Sequence, residues 1–168
     1  MGETNLMEKL NSEVNSEDES KYSIVSISGV NFGINVSDVT EIVPLPEYSR
    51  LPNVNSEIKG IFSLRGQIFS ILDLRIMFGF KIKPITEQDF VVIVKSKKFS
   101  FGILVEQVMD VSIFKSNAIK KPAENMDEKI IPFLAGVTED KKTGLINLLD
   151  IEAIINSSQL SRYRFNGN

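Results

Sequence analysis

The side chains able to do chemistry in this 168-residue chain are 22 Asp and Glu, 19 Lys and Arg, and scattered hydroxyls; His and Cys are absent. Thiolate and imidazole metal sites are thereby excluded, as are Cys nucleophiles, His-based triads and phosphorelay histidines. The carboxylates fall mostly at turns and expected helix caps, and no spacing singles out a general acid–base pair. No G-x-x-x-x-G-K-[ST], G-x-G-x-x-G or G-x-S-x-G motif occurs. The pairs Lys97-Lys98, Lys120-Lys121 and Lys141-Lys142 lie in expected loops of a chain whose net charge is −3. They read as solubility and strand-edge protection rather than a nucleic-acid patch. A binding module is therefore the strong reading and an enzyme the weak one, with no cofactor and no metal expected.

The composition agrees. Hydrophobic residues make up 42% and charged residues 24%, ordinary values for a soluble fold. No apolar run reaches the roughly 20 residues of a membrane span. Residues 1–20 are polar and acidic (Glu3, Glu8, Glu13, Glu17, Asp18, Glu19), the reverse of a signal peptide. They read as a flexible tail, with a second tail over 158–168 and a cytoplasmic location.

The elements that must hold any binding surface are mostly strands. Alternation and β-branched runs predict strands over 22–28, 31–36, 58–64, 67–72, 90–94, 99–105, 111–114, 134–137 and 145–149. Arg65-Gly66 reads as a hairpin tip. Asp73 and Asp150 read as caps of short helices near 73–79 and 150–157. Between strands, Val36, Val39 and Val43 stand at helical spacing for one short turn, followed by a loop punctuated by Pro44, Pro46 and Pro52.

A repeat runs through this pattern. Phe32-Gly33-Ile34-Asn35-Val36 matches Phe101-Gly102-Ile103-Leu104-Val105 at an offset of about 69, and Ile71-Leu72-Asp73-Leu74 matches Leu148-Leu149-Asp150-Ile151 at about 77. The longer second offset fits an extended loop at 115–131. About 31–79 and 90–156 thus carry related units, and two all-β lobes, each a small closed sheet with a short helix, are expected.

The most distinctive segment is Ile58-Lys59-Gly60-Ile61-Phe62-Ser63-Leu64-Arg65-Gly66-Gln67-Ile68-Phe69-Ser70-Ile71-Leu72-Asp73-Leu74-Arg75. With Phe32-Gly33-Ile34, Val91–Val94, Phe101–Val105 and the Leu148–Ile155 ending, it resembles the CheW family of bacterial chemotaxis coupling proteins over roughly 20–157. Ser63, Ser70 and Glu106 depart from the residues usual in that family. The resemblance implies a mainly β fold of two SH3-like five-stranded β-barrel lobes with short helices, occupying 21–157. It also implies a non-enzymatic adaptor between chemoreceptors and the histidine kinase CheA. Its partners would be a chemoreceptor cytoplasmic tip and the CheA regulatory domain, with no nucleic acid, no membrane insertion and a monomer when free. Because the sequence ends at Asn168, no appended receiver domain is expected. Other readings left open are a CheW-like scaffold for surface or pilus motility and a generic peptide-binding barrel, although the latter's exposed aromatics are scarce here.

Carried over by position, the receptor-binding groove would include Val39, Glu41, Gly60, Arg65, Val91, Gly102 and Val111. Taken by themselves, Val39, Val91 and Val111 read as core, and Gly60 and Gly102 as sites of close strand approach. Glu41 and Arg65 form the sharpest pair: a solvated acid and hairpin tip on the bland reading, a salt bridge fixing the groove's edge on the functional one.

Overall fold

The structure is a computed structural model that describes residues 18–161. Most of the expected acidic tail, and residues 162–168, lie outside the described residues. Ten strands run in chain order. β1 (Glu19–Ile27) and β2 (Val30–Asn35) form a hairpin. β3 (Val39–Pro44) follows, then the hairpin β4 (Ile58–Leu64) and β5 (Gln67–Leu72), and helix α1 (Leu74–Met77). β6 (Phe90–Lys95) and β7 (Ser100–Val105) form a third hairpin. β8 (Gln107–Lys115), β9 (Leu134–Asp140) and β10 (Gly144–Leu149) lead to α2 (Ile151–Ile155) and α3 (Ser158–Ser161).

The strands make two five-stranded sheets, ordered β8-β1-β2-β10-β9 and β3-β6-β7-β5-β4. The repeat units do not map one to each sheet. The first half of the chain gives β1 and β2 to one sheet and β3, β4 and β5 to the other; the second half gives β6 and β7 to the latter and β8, β9 and β10 to the former. The exchange is joined by parallel pairs: Phe32 and Gly33 lie beside Asn147 and Leu148, while Gly102 and Ile103 lie beside Ile71 and Leu72. Each Phe-Gly-Ile strand thus pairs with the pre-helix strand of the other unit. The lobes expected from contiguous halves are interleaved instead.

Neither sheet closes into a continuous ladder of its named strands, so the expected barrels are open along one seam each. The seams are bridged by single contacts. Ser49, carried over after β3, exchanges backbone hydrogen bonds with Ile61 of β4 (2.8 and 2.9 Å). Lys120, after β8, does the same with Val137 of β9 (2.8 and 2.8 Å).

Burial follows the exchange. The largest core lies between the sheets and joins Val25, Phe32 and Ile34 from one to Val92, Phe101 and Ile103 from the other, with Leu74 and Phe78 beside α1 and Ile154 from α2. Each sheet has its own smaller core, around Phe62, Ile71 and Val91 in one and around Tyr22, Ile24 and Ile146 in the other. The two helices start alike: the Asp73 carboxylate accepts from the Arg75 N–H (3.1 Å) and that of Asp150 from the Ala153 N–H (2.9 Å). An extended cap residue with a short acceptor is what an isolated turn of helix needs.

Three expectations need correction. Val39–Pro44 is a strand, not a helical turn and loop; it pairs antiparallel with β6. Its Pro44 is tolerated because β3 is an edge strand. Phe99, the first residue of the expected 99–105 strand, is exposed, because β7 begins at Ser100 and Phe99 belongs to the turn. Within the tail expected over 158–168, Ser158–Ser161 is helical and Leu160 packs into the inter-sheet core at 6% exposure.

Candidate functional site

Leu64 pairs with Gln67 across the β4–β5 hairpin, leaving Arg65 and Gly66 as its two-residue tip. Both have positive φ, +49° and +78°. That matches a type I′ turn, whose twist suits the flanking strands. Arg65 is a non-glycine residue held in the left-handed region, a conformation that surrounding contacts must stabilise.

Glu41 supplies that contact. The Arg65 guanidinium donates Nη1 to Glu41 Oε2 at 2.7 Å and Nη2 to Oε1 at 2.9 Å, the bidentate geometry for which a planar fork is suited. Glu41 lies on β3 and Arg65 at the end of β4, and these are the two edge strands of one sheet. The ion pair therefore crosses the open seam. Arg65 is 75% exposed and Glu41 27%, so the pair is accessible to a partner and water-screened.

Gly60 belongs to the same seam from beneath. A Cβ there would run into the Ser49 carbonyl oxygen and sit 2.8 Å from the Tyr48 ring. Its absence lets the Ser49 bridge lie against β4. Sequence reasoning missed the counterpart, Gly136, where a Cβ would lie 2.6 Å from Ile119 and 3.0 Å from the Lys120 carbonyl. The signal was available: Leu134-Ala135-Gly136-Val137 extends the repeat against Ile58-Lys59-Gly60-Ile61.

The remaining expected site residues divide. Val39 is half-buried on β3 and packs against the inter-sheet core. Val91 is fully buried, and its Cγ1 occupies the space a Cβ on Gly102 would take, with Phe62 and Ser70 close by. Val91 and Gly102 are thus a packing pair inside one sheet's core, not a solvent-facing surface. Val111 stands on β8 of the other sheet, 56% exposed, beside Ile113 at 55%. It lines a cleft of about 700 Å³ between β8 and the β9–β10 hairpin, with Met109, Ile113, Lys141 and Lys142. This is the second seam. Asp110 occupies Glu41's place in the repeat, but among the described residues no ion pair closes this one. Ile68, 71% exposed on the Arg65 hairpin, was not singled out by sequence, where it reads as one more alternating strand residue.

A second polar centre lies under α1. Arg75 is 2% exposed and pairs with fully buried Asp73 through Nε and Nη2, both at 2.8 Å. The Asp73 hydrogen bond, opposed by burial, raises the Arg75 pKa further above its usual value and keeps it charged. Near α2, Asp38 is pushed above the ordinary aspartate value by burial and by Glu152 and Asp150, against the pull of Lys95. Neither centre assembles a nucleophile with a base.

The chain is thus two interleaved five-stranded sheets, one of them with an accessible seam braced by an ion pair. The chain belongs to the CheW-like domain family, whose model matches residues 21–159. It is similar to chemotaxis protein CheW of Klebsiella aerogenes, 28% identical over 141 residues and 84% of each chain. It is also similar to protein PilI of Pseudomonas aeruginosa, 24% identical over 131 residues and 74% of each. Among solved structures, the scaffolding protein TtCheW from Thermoanaerobacter tengcongensis shares the fold, with a TM-score of 0.74, 22% identity, and coverage of 83% of this chain and 90% of that one.

Proposed function

We infer that this chain is an adaptor of chemotaxis signal transduction that couples receptors to the kinase CheA without chemistry of its own. The observation that carries the reading is the CheW-like match over nearly all the described residues, 21–159. The absence of His and Cys from the sequence is in keeping with it. No helix among the described residues is long and apolar enough to cross a membrane.

In finer detail, the receptor's cytoplasmic tip meets the surface around Glu41 and Arg65, with Val39 beside them and Val111 on the other sheet. Gly60, Val91 and Gly102 serve that surface from beneath by setting strand positions. The CheA regulatory domain docks on a different face, and the adaptor works in the cytoplasm. A second reading, the same adaptor role in a pathway other than swimming chemotaxis, is favoured by the similarity to a protein named PilI. Size-exclusion of the pure protein with a receptor tip fragment and a CheA regulatory domain tests the proposal. A three-component peak is expected, and mutually exclusive binding contradicts a bridge.

A further inference from the structure

The two units of the repeat meet the β1–β2 and β6–β7 turns in opposite ways. At offset 69, the Ser28 N–H and the Lys97 N–H are equivalent donors, each in the turn of a hairpin. Both are accepted by a glutamate: Ser28 by Glu106 Oε1 at 3.2 Å, Lys97 by Glu152 Oε1 at 2.6 Å. The glutamates come from different places. Glu106 lies between β7 and β8, where the chain crosses from one sheet to the other; its counterpart at offset 69 is Ser37. Glu152 lies on α2, and its counterpart at offset 77 is Arg75.

Charge is therefore exchanged between the junctions. On one side the helix itself presents the acceptor. On the other it presents a cation, and Arg75 Nη1, 3.5 Å from Glu106 Oε1, holds a separate acceptor in place. Arg75 is anchored behind by Asp73, and its Nη1 also donates to the Lys83 carbonyl at 3.2 Å. Glu106 is tied in by its backbone too, since its N–H donates to the Ser26 carbonyl at 3.0 Å. The chain Asp73–Arg75–Glu106–Ser28 thus runs from a helix on one sheet to a hairpin of the other.

We propose that Arg75 and Glu106 form a polar latch that fixes the orientation of the two sheets, with Glu152 as its counterpart at the opposite junction. The attraction within the apolar inter-sheet core is non-directional, whereas a charge-assisted bond has a required direction. Glu106 is a positioning residue, since it acts through Ser28 and the crossover rather than by touching a partner. The latch does not depend on which partner the adaptor serves.

The experiment is NMR on the full chain, reading amide exchange and residual dipolar couplings for Glu106→Ala, Glu106→Gln and Glu152→Ala. Glu106→Ala is expected to speed exchange at Ser28 at least tenfold and to change inter-sheet orientation, with the geometry within each sheet and exchange at Lys97 unchanged. Glu106→Gln retains an acceptor but loses the attraction of Arg75, so its Ser28 exchange should fall between wild type and Glu106→Ala. Glu152→Ala should give the mirrored result, affecting Lys97 and sparing Ser28. Unchanged inter-sheet couplings in Glu106→Ala would overturn the latch, as would equal effects on both turns or loss of the folded spectrum in the Gln variant.

Discussion

At the scale of single residues, electrostatic surroundings separate groups that braces hold from groups that the fold tolerates. Glu41 and Arg65 satisfy each other with two short bonds, and Asp73 and Arg75 do so under cover. Asp38 is different: burial and two neighbouring acids raise its pKa. A raised pKa means that the folded state holds the proton more tightly than the unfolded chain. Its contribution to stability therefore grows as pH falls from the folded pKa towards the ordinary aspartate value, and is unfavourable at neutral pH. Asp38→Asn should melt slightly higher than wild type at pH 7. Across the mildly acidic window just above the ordinary aspartate range, the two curves should converge. Thermal melts of both proteins from pH 7 to pH 4 test this. A lower melting temperature for Asp38→Asn at pH 7 would contradict it.

At the scale of elements, the seams explain both the glycines and the hairpin tip. Gly60→Ala forces a Cβ against a backbone carbonyl, which cannot swing away as a side chain can. A loss of about 1–3 kcal/mol is expected, of the size seen for overpacking, together with faster amide exchange at Ile61. Gly136→Ala should act likewise at Val137. Gly29→Ala is the control for backbone strain without contact: its φ is +76° and nothing lies within 4 Å, so about 1–2 kcal/mol is expected with the seam amides still protected. Chemical denaturation with exchange at the two bridges distinguishes these cases. The β4–β5 hairpin was legible because alternation, Arg65-Gly66 and the Asp73 cap agree with one another. β3 was not, because Val36, Val39 and Val43 also satisfy a helical spacing, and what makes it a strand is the distant pairing with β6. Val91 and Gly102 show the same limit at the site. Their types allow either a groove or a core, and only the register that lays Val91 Cγ1 over Gly102 decides for the core.

At the scale of the molecule, the exchange of strands makes each repeat unit incomplete. Residues 18–83 hold β3, β4 and β5 without the β6–β7 hairpin that lies between them in the sheet, and residues 88–161 lack the β1–β2 hairpin in the same way. Neither fragment should fold as a monomer, and the two mixed together should recover the native circular dichroism and a cooperative melt. A folded monomer from either half would show that the lobes are independent. The repeat itself was legible from two short matches, but the exchange was not: residue types record which strands are alike, not which partners they take.

If, as proposed, one small protein holds a receptor and a kinase on separate faces with Arg65 at the receptor's, loss of Arg65 separates the two contacts. The most direct measurement is a pair of titrations of wild type and Arg65→Ala, with a receptor tip fragment and with a CheA regulatory domain. Because the Arg65 side of the pair is 75% exposed, the pair contributes only about 0–1 kcal/mol to folding, so melting should be nearly unchanged. Receptor affinity should fall about tenfold, the equivalent of ~1.4 kcal/mol, because the partner meets a displaced hairpin and an unpaired Glu41. Kinase affinity should change much less. Equal loss towards both partners, or no loss towards the receptor with melting unchanged, would contradict the account.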